Sequence, residues 1–534
     1  MSGAMTRRNL LEAGLCAAAG TGAVSAGATQ ARKRKMPDSW TALCLNEDDS
    51  HYYYSRAGQK LDAEKIASWV DQYAGTQIRE LMLCPNCMRA SFDSKVWDPI
   101  WKGYDPDGPD DQPLLASTNP SDRKGVRGWI HTAWHLAHEG VDVYKIWIER
   151  ARHVGLSPWL TMRMNDIHNV DDEKSFIHSE FWRANPQFRR VPYRFTSWPD
   201  RAFDYGRPEV RAYHFRLIEE LAERYDFDGL ELDWMRFGFH FRPGREAEGA
   251  ELLTQFTTDV RRLLDGWEKR RKHRIRLGAR VASRPATALG LGMDAVTWAH
   301  RGLIDMLVVT PFWASIEPDM PIEIWRELLQ GTRTRLAAGL ELLLRPHPGF
   351  ANPPYNSLET VRGAAASLLD RGADRIYLFN YFDDHAGDPD MEYATLLREC
   401  GKAQTLSGKP RRHVLTYSDT FAPGEPSASA LPVSCSPGQW RAFRLPTGPK
   451  PSGGRVEARF GIQGATESDV RGWEVRLNGA PCSFTGRISL TKPVVNLPAF
   501  AFEAPVGAME RGYNLLELLP AGAGQIEWVE IAAL

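Results

Sequence analysis

The stretch "YDFDGLELDWMRF", Tyr225 to Phe237, decides how the chain is read. Four acidic residues, Asp226, Asp228, Glu231 and Asp233, sit among apolar ones, and an arginine follows. In a strand, successive side chains point to opposite faces. Leu230, Leu232 and Trp234 share one parity and suit the helix-facing side of a barrel strand, while Glu231, Asp233 and Met235 point inward. Carboxylates aimed into a closed barrel are costly unless paired or hydrogen-bonded. Arginines stand ready on other predicted strands: Arg163, Arg280 and Arg345. Glu231, lower in the barrel, is expected to partner one of them. Asp233 ends the strand at the C-terminal mouth, where this fold keeps its chemistry. Asp226 and Asp228 belong to the turn entering the strand.

Working outward, similar apolar runs recur near 40–45, 78–84, 156–164, 274–282, 304–312, 339–346 and 375–382, with helical patterns between them. The clearest helix follows Gly206: Pro208 fits its first turn, and Val210, Tyr213, Leu217 and Leu221 form one apolar stripe. Eight strand–helix repeats predict an α/β fold, a (β/α)8 TIM barrel. The alternative, a doubly wound open sheet, lacks its Gly-rich phosphate fingerprint after the first strand. Long insertions follow the second and third runs, and long ordered barrel loops usually build the substrate face. The loop over 165–205 carries Trp182, Phe188, Tyr193, Phe195 and Trp198 with Arg183, Arg189, Arg190 and Arg194, more aromatics than a disordered segment would hold.

Near residue 405 the pattern changes. "SGKPRRHVLTYSDTFAPGEPSAS" reads as a linker or edge strand, and beyond it helix signals nearly vanish. "WRAFRL", "GRVEARFGI", "WEVRLNGAPCSF", "YNLLELLP" and "IEWVEIAAL" read as strands, with Asn478-Gly479 a hairpin turn. The expected organisation is a barrel over 34–404 and an all-β sandwich over 405–534. The sandwich either binds polysaccharide or covers one side of the barrel.

Residues 1–33 are excluded from the fold. Arg7 and Arg8 precede a weakly apolar Ala/Gly-rich stretch and a basic cluster, the pattern of a twin-arginine export signal leading to a periplasmic or extracellular location. No later run is long and apolar enough to span a bilayer. Export permits disulfides, and Cys435 and Cys482 are candidates to pair. "CPNC", Cys84 to Cys87, has redox-motif spacing without the surrounding thioredoxin-like pattern. A formal charge of -1 gives no whole-chain case for nucleic-acid binding.

The other strand ends should gather at the mouth with Asp233. The first, "NEDDSH", supplies Asn46, Glu47 and His51. The third, "RMNDIH", supplies Arg163, Asn165, Asp166 and His168. The sixth supplies Trp313, Glu317 and Asp319, the seventh Arg345 and His347, and the eighth Asn380, Tyr381, Asp383 and Asp384. Paired carboxyls beside aromatic rings point to glycosidic-bond cleavage, which needs one carboxyl to protonate the leaving oxygen and another as nucleophile or base. The expected carbohydrate-binding set is Arg163, Asn165, His168, Arg236, Arg280, Trp313, Arg345, His347 and Tyr381. The arginines extend the expectation to a uronic or sulfated glycan; alternatively they only neutralise the acids. No metal or cofactor is expected. The rival reading is a non-catalytic carbohydrate-binding protein on a decayed barrel.

"FDGLELDWMRF" resembles the fourth strand of the family-10-like glycosyl hydrolases of exported bacterial proteins, and "MRMNDIHN" with the twin-arginine start fits the same group. The resemblance covers the barrel alone. It implies a carbohydrate hydrolase with Asp233 as its key carboxylate and Arg236 beside it. The stretch is less similar to family-18 chitinases, where a glutamate stands at the position of Met235. In barrels whose fourth strand ends in a nucleophilic Asp, the acid often comes from the sixth strand. That resemblance makes Glu317 the first candidate partner, with Asp319 and Asp166 behind it.

Overall fold

The computed structural model describes residues 41–384, 391–491 and 496–534. The export signal expected over residues 1–33 lies outside them. Eight strands form a closed barrel in chain order: β1 (Ala42–Glu47), β2 (Ile78–Leu83), β3 (Ser157–Arg163), β4 (Gly229–Asp233), β5 (Arg276–Ala282), β6 (Met306–Thr310), β7 (Arg335–Leu340) and β8 (Arg375–Phe379). β8 returns parallel to β1. The inward positions fill the lumen in layers. Trp159 projects from β3 towards its neighbours, and Gly229 on β4 and Gly278 on β5 leave it room. A Cβ at Gly229 would sit 2.3 Å from the indole, and one at Gly278 3.1 Å.

One strand departs from expectation. The run "GLELLLRP" places β7 over 339–346, but the strand is Arg335–Leu340. Asp374 pins it upstream, its Oδ2 accepting from Leu336 N at 2.9 Å. Ala337 and Gly339 suit the lumen because neighbours fill the space: a Cβ at Gly339 would lie 2.3 Å from Thr310 Oγ1. The leucines that suggested a strand pack beyond the sheet, and Glu341 becomes the first residue past the strand.

The loop after β2 leads into α1 (Arg123–His138), and the long loop after β3 leads into α2 (Pro208–Arg224). Pro208 opens α2, and Val210, Tyr213, Leu217 and Leu221 are buried along it as the stripe requires. The loop between β3 and α2 is ordered by its own side chains. Ser179 caps a short helix over Glu180–Ala184, and Arg189 stacks over buried Trp182 at 3.8 Å.

The C-terminal part is a β-sandwich. Its strands are β9 (Arg411–Val414), β10 (Val433–Cys435), β11 (Arg441–Gly448), β12 (Val456–Gln463), β13 (Glu474–Leu477), β14 (Ala480–Pro481), β15 (Ser483–Ile488), β16 (Ala499–Ala504), β17 (Gly512–Leu519) and β18 (Gly524–Ala533). One sheet runs β10-β18-β12-β16-β15 with β9 also on β18, and the other runs β11-β17-β13-β14. Phe443, Phe460, Phe502, Leu516 and Ile531 belong to the core between them. Asn478 and Gly479, both at positive φ, turn β13 into β14 as the hairpin signal predicts. Cys435 and Cys482 are both free, so the expected bridge is not formed. The sandwich packs on the barrel through α3 (Leu358–Asp370). Gly363 lets the chain of Arg412 approach so closely that a Cβ would lie 2.0 Å from its carbonyl oxygen. Arg511 ion-pairs with Asp370 at 2.6 Å.

Candidate active site

Arg163, Asp233 and Arg280 stand in register on β3, β4 and β5 and form the top lumen row. Asp233 Oδ1 accepts from Met235 N at 2.9 Å, Arg236 N at 2.8 Å and Arg280 Nη1 at 3.1 Å. Its Oδ2 has only a longer contact to the same Nη1, at 3.3 Å. One oxygen is therefore anchored and the other lightly held. The β4 strand ends here because its last carboxylate caps the next turn, so Met235 leaves the lumen for the surrounding core. The other terminal nitrogen of Arg280, Nη2, donates to Glu341 Oε1 at 2.8 Å, and the guanidinium lies 4.0 Å over the Phe379 ring. Burial pushes the Glu341 carboxyl up to about 8; Arg280 and Arg236 pull against it without cancelling it, and Asp419 and Asp233 add to it. Tyr381 is a strut beneath this residue, its buried hydroxyl donating to the Glu341 carbonyl at 3.0 Å.

Glu231 differs from expectation. Among the described residues its hydrogen bonds come from Thr161 Oγ1 at 2.6 Å and Tyr377 OH at 2.8 Å, and Arg280 acts on it through charge alone. Arg280 reaches up to Asp233 instead. Burial, then the Asp233 charge, raises the Glu231 carboxyl to about 7. Asp226 and Asp228 do lie in the entering turn, bridged by Arg152 at 2.9 and 2.7 Å.

The β1 and β3 ends build a second charged group. Arg163 meets three carboxylates: Asp48, Asp49 at 3.0 Å and Asp166 at 3.1 Å. Burial opposes the Asp48 charge, but Arg163 and then hydrogen bonds from Asp49 and Ser50 hold this carboxyl well below the usual range. Asp49 moves the other way, raised by burial and then by Asp48. Burial also opposes ionisation of Asp166, yet His168 and then Arg163 keep it low. His168 Nδ1 lies 2.7 Å from Asp166 Oδ1, and its Nε2 lies 2.7 Å from Arg236 Nη2. Since the guanidinium can only donate, Nε2 accepts, and His168 is the neutral Nδ1–H tautomer. A cleft of about 480 Å³ opens on this group. Asp48, Asp49, Arg163, His168 and Arg236 line one side, and Thr118, Asp122 and Trp129 at the start of α1 line the other.

An aromatic wall continues from the cleft. The His168 ring is 4.8 Å from Phe237, Phe237 is 5.2 Å from Phe312, and Trp198 stacks on Phe312 at 5.8 Å. Trp198 and Trp313, beside Phe312, are 39% and 44% exposed, so two indole faces remain open to solvent.

Other predicted residues take different places. Glu317 is buried and occupied by Ser283 at 2.7 Å and by Arg284 at 2.7 and 3.2 Å; its nearest charges are Arg284 and Asp419 rather than Asp233. Asp319 reaches Arg444 of the sandwich at 3.2 Å. Asn165 is used up on the backbones of Phe203 and Phe239. The Arg345 backbone is tied to Ser315, and His347 is buried against Phe350. Asp48, Asp49 and Glu341 were not singled out in the sequence. The first two lie inside the quoted "NEDDSH", and Glu341 was hidden by the predicted register of β7. Among the described residues no group of three or more His, Cys, Asp or Glu side chains is gathered as a metal ion would need. No described helix is long and apolar enough to cross a membrane.

No family model matches the sequence, and no curated protein matches it. Among solved structures, the chain is similar to alpha-L-fucosidase isoenzyme 1 from Paenibacillus thiaminolyticus at 13% identity and a TM-score of 0.33, covering 90% of this chain and 96% of that one. It is similar to the PgaB (BpsB) glycoside hydrolase domain from Bordetella bronchiseptica at 12% identity and a TM-score of 0.37, covering 67% and 98%. A GH18 chitinase from Pseudoalteromonas aurantia matches at 10% identity and a TM-score of 0.34, covering 68% and 100%. The family-10-like resemblance stands on the strand motifs alone.

Proposed function

We propose that this chain is a glycoside hydrolase that cleaves a poly- or oligosaccharide at the C-terminal mouth of its barrel. The observation that carries the reading is the pair Asp233 and Glu341 on the two terminal nitrogens of Arg280. Two-carboxylate cleavage uses carboxyls about 5–9.5 Å apart, a span that one guanidinium with a hydrogen bond at each end can bridge. Glu341, raised to about 8, keeps its proton at neutral pH and is the acid that protonates the leaving oxygen. Asp233, anchored through Oδ1, offers Oδ2 as nucleophile or base. The open faces of Trp198 and Trp313 give sugar rings a stacking surface. The twin-arginine segment supports a substrate outside the cytoplasm.

Charge at the mouth bears on the sugar. Arg163 and Arg280 are both met by carboxylates, and Asp122, Asp171 and Asp172 add to the cleft lining. That supports a neutral or amine-bearing unit over a uronic or sulfated one. A second reading, binding without cleavage, is favoured by the burial of both carboxyls: Asp233 is 1% exposed and Glu341 3%.

Reducing ends released from a panel of neutral, amine-bearing, uronic and sulfated glycans test the proposal, with Asp233→Asn and Glu341→Gln as controls. Cleavage by the wild type that both variants lose supports the hydrolase. Glycan binding with no reducing ends from any substrate overturns it in favour of the binder.

A further inference from the structure

The segment between β9 and β10 is more than a tether. It crosses the rim of the barrel mouth and touches the loops after β5 and β6, with Tyr417 beside Arg345 after β7. At the first loop, Thr287 Oγ1 donates to Glu425 Oε2 at 2.8 Å. Nearby, Ala422 packs so closely on Gly290 that a Cβ there would stand 2.6 Å from its methyl group. At the second, Asp419 accepts from three consecutive backbone N–H groups: Phe312 at 2.8 Å, Trp313 at 2.9 Å and Ala314 at 2.8 Å. Successive N–H groups aimed at one point make a concave anion site, and charge-assisted bonds to a carboxylate are the strong kind. Without that carboxylate these three donors would lose their partner, while the chain just beyond them stays tied through Ser315 to Arg345 and through Ile316 N to the Leu343 carbonyl. The turn carries Phe312, the centre of the aromatic wall, and Trp313, its most open face.

We propose that Asp419 is a positioning residue of the mouth: from the strap that joins sandwich to barrel, it sets the Phe312–Trp313 turn and so the stacking surface for the sugar. The inference rests on the proposed glycan site. The strap lies against the same rim that supplies Glu341, and Asp419 is one of the charges acting on that carboxyl.

Two variants test it on the full chain. Asp419→Ala removes all three acceptor bonds. Asp419→Asn keeps one acceptor oxygen and removes the charge. Amide hydrogen exchange of Phe312, Trp313 and Ala314 is expected to be slow in the wild type, at least tenfold faster in Asp419→Ala, and intermediate in Asp419→Asn. On a cleaved glycan, KM should rise in Asp419→Ala with kcat little changed, as loss of a binding surface predicts. In Asp419→Asn the alkaline limb of the pH–kcat/KM profile should move to lower pH, a shift that a purely structural tie would not produce. Unchanged exchange in Asp419→Ala overturns the positioning role. Faster exchange with KM unaltered overturns its link to the sugar. If the wild type cleaves nothing, the exchange result still judges Asp419, and it is the hydrolase reading that fails.

Discussion

The floor and the mouth of the barrel both bury charge, in opposite proportions. Near the floor one carboxylate serves two guanidiniums: Glu80 pairs with Arg375 at 2.9 Å and Arg335 at 3.4 Å. At the mouth three carboxylates crowd Arg163 and two share Arg280. Stability alone favours the balanced arrangement, because every uncompensated buried charge is costly. Proton affinities diverge here: burial and then neighbouring carboxylates raise Glu341 and Asp49, while Arg163 holds Asp48 low and His168 with Arg163 holds Asp166 low against the cost of burial. Perturbed groups of this kind mark sites of chemistry. The difference teaches that the lumen carries a balanced ion pair at one end and crowded carboxyls with divergent proton affinities at the other.

The sharpest break in the comparison comes from the mouth. Glu341→Gln keeps the shape and the bond to Arg280 but removes the proposed proton donor. The expected loss is about 10²–10⁴-fold in kcat on a cleaved glycan, with the thermal midpoint at neutral pH close to that of the wild type, since a protonated carboxyl and an amide are both neutral and of similar shape. A fall in stability without loss of turnover would move Glu341 to the structural class. The floor should answer in reverse. Glu80→Gln takes the charge from the Glu80–Arg375 pair, whose two side chains are both buried, and breaking a buried pair from one side costs about 3–5 kcal/mol. Denaturant unfolding measures that cost, while turnover per folded molecule should stay unchanged.

How much of this was legible in the sequence depends on which force fixed each part. The barrel was, because eight apolar runs with helical spacers leave few other folds, and Asp233 was placed at the mouth by strand parity. The arginine partner was assigned to the wrong carboxylate. Parity puts Glu231 and Asp233 on the same face but is silent on the height at which Arg280 meets them, which the register of β4 against β5 decides. Glu341 was missed for a related reason: Leu342 to Leu344 look like strand, whereas the strand uses the small residues upstream, whose neighbours fill the lumen. Asp48 and Asp49 sat in plain view in "NEDDSH", but nothing local distinguishes a cleft carboxylate from a solvated one. Asp419 could not be found at all from spacing, because its partners are more than a hundred residues away.

Between floor and mouth lies Glu231, which sharpens the comparison through pH. Its carboxyl has an ordinary value of 4.5 and is raised to about 7 in the folded chain. The folded state therefore holds more protons than the unfolded state between those values, and stability falls as pH rises through that window. The contribution is fully present below about 4.5 and lost above about 7. Glu231→Gln should flatten this slope by at most about 1.4 kcal/mol per pH unit. Paired thermal melts of wild type and variant from pH 4.5 to 8 give the difference; an unchanged slope would mean that Glu231 ionises freely and that the hydroxyls of Thr161 and Tyr377 suffice to hold its charge.

The smallest expected effect concerns the aromatic wall, which has no counterpart at the floor. There Trp159 is sealed by Gly229 and Gly278 and touches only protein. Trp313 stands open on a turn whose backbone is already tied by Asp419. Removing its ring should cost the fold little, since an exposed side chain contributes little burial. Aromatic pairs are worth about 0.5–1.5 kcal/mol beyond area burial, and a contact of that size is taken for the ring against one sugar face. Trp313→Ala should therefore raise KM by about two- to tenfold, at 1.4 kcal/mol per tenfold, and leave kcat and the thermal midpoint near the wild-type values. The separation of KM from kcat is the point of the measurement, because contacts made equally in ground and transition states act on KM alone. If kcat falls with KM unmoved, the ring orients the reacting bond rather than holding the chain. The stacking surface then merges with the charged pair on Arg280 into one centre instead of standing beside it.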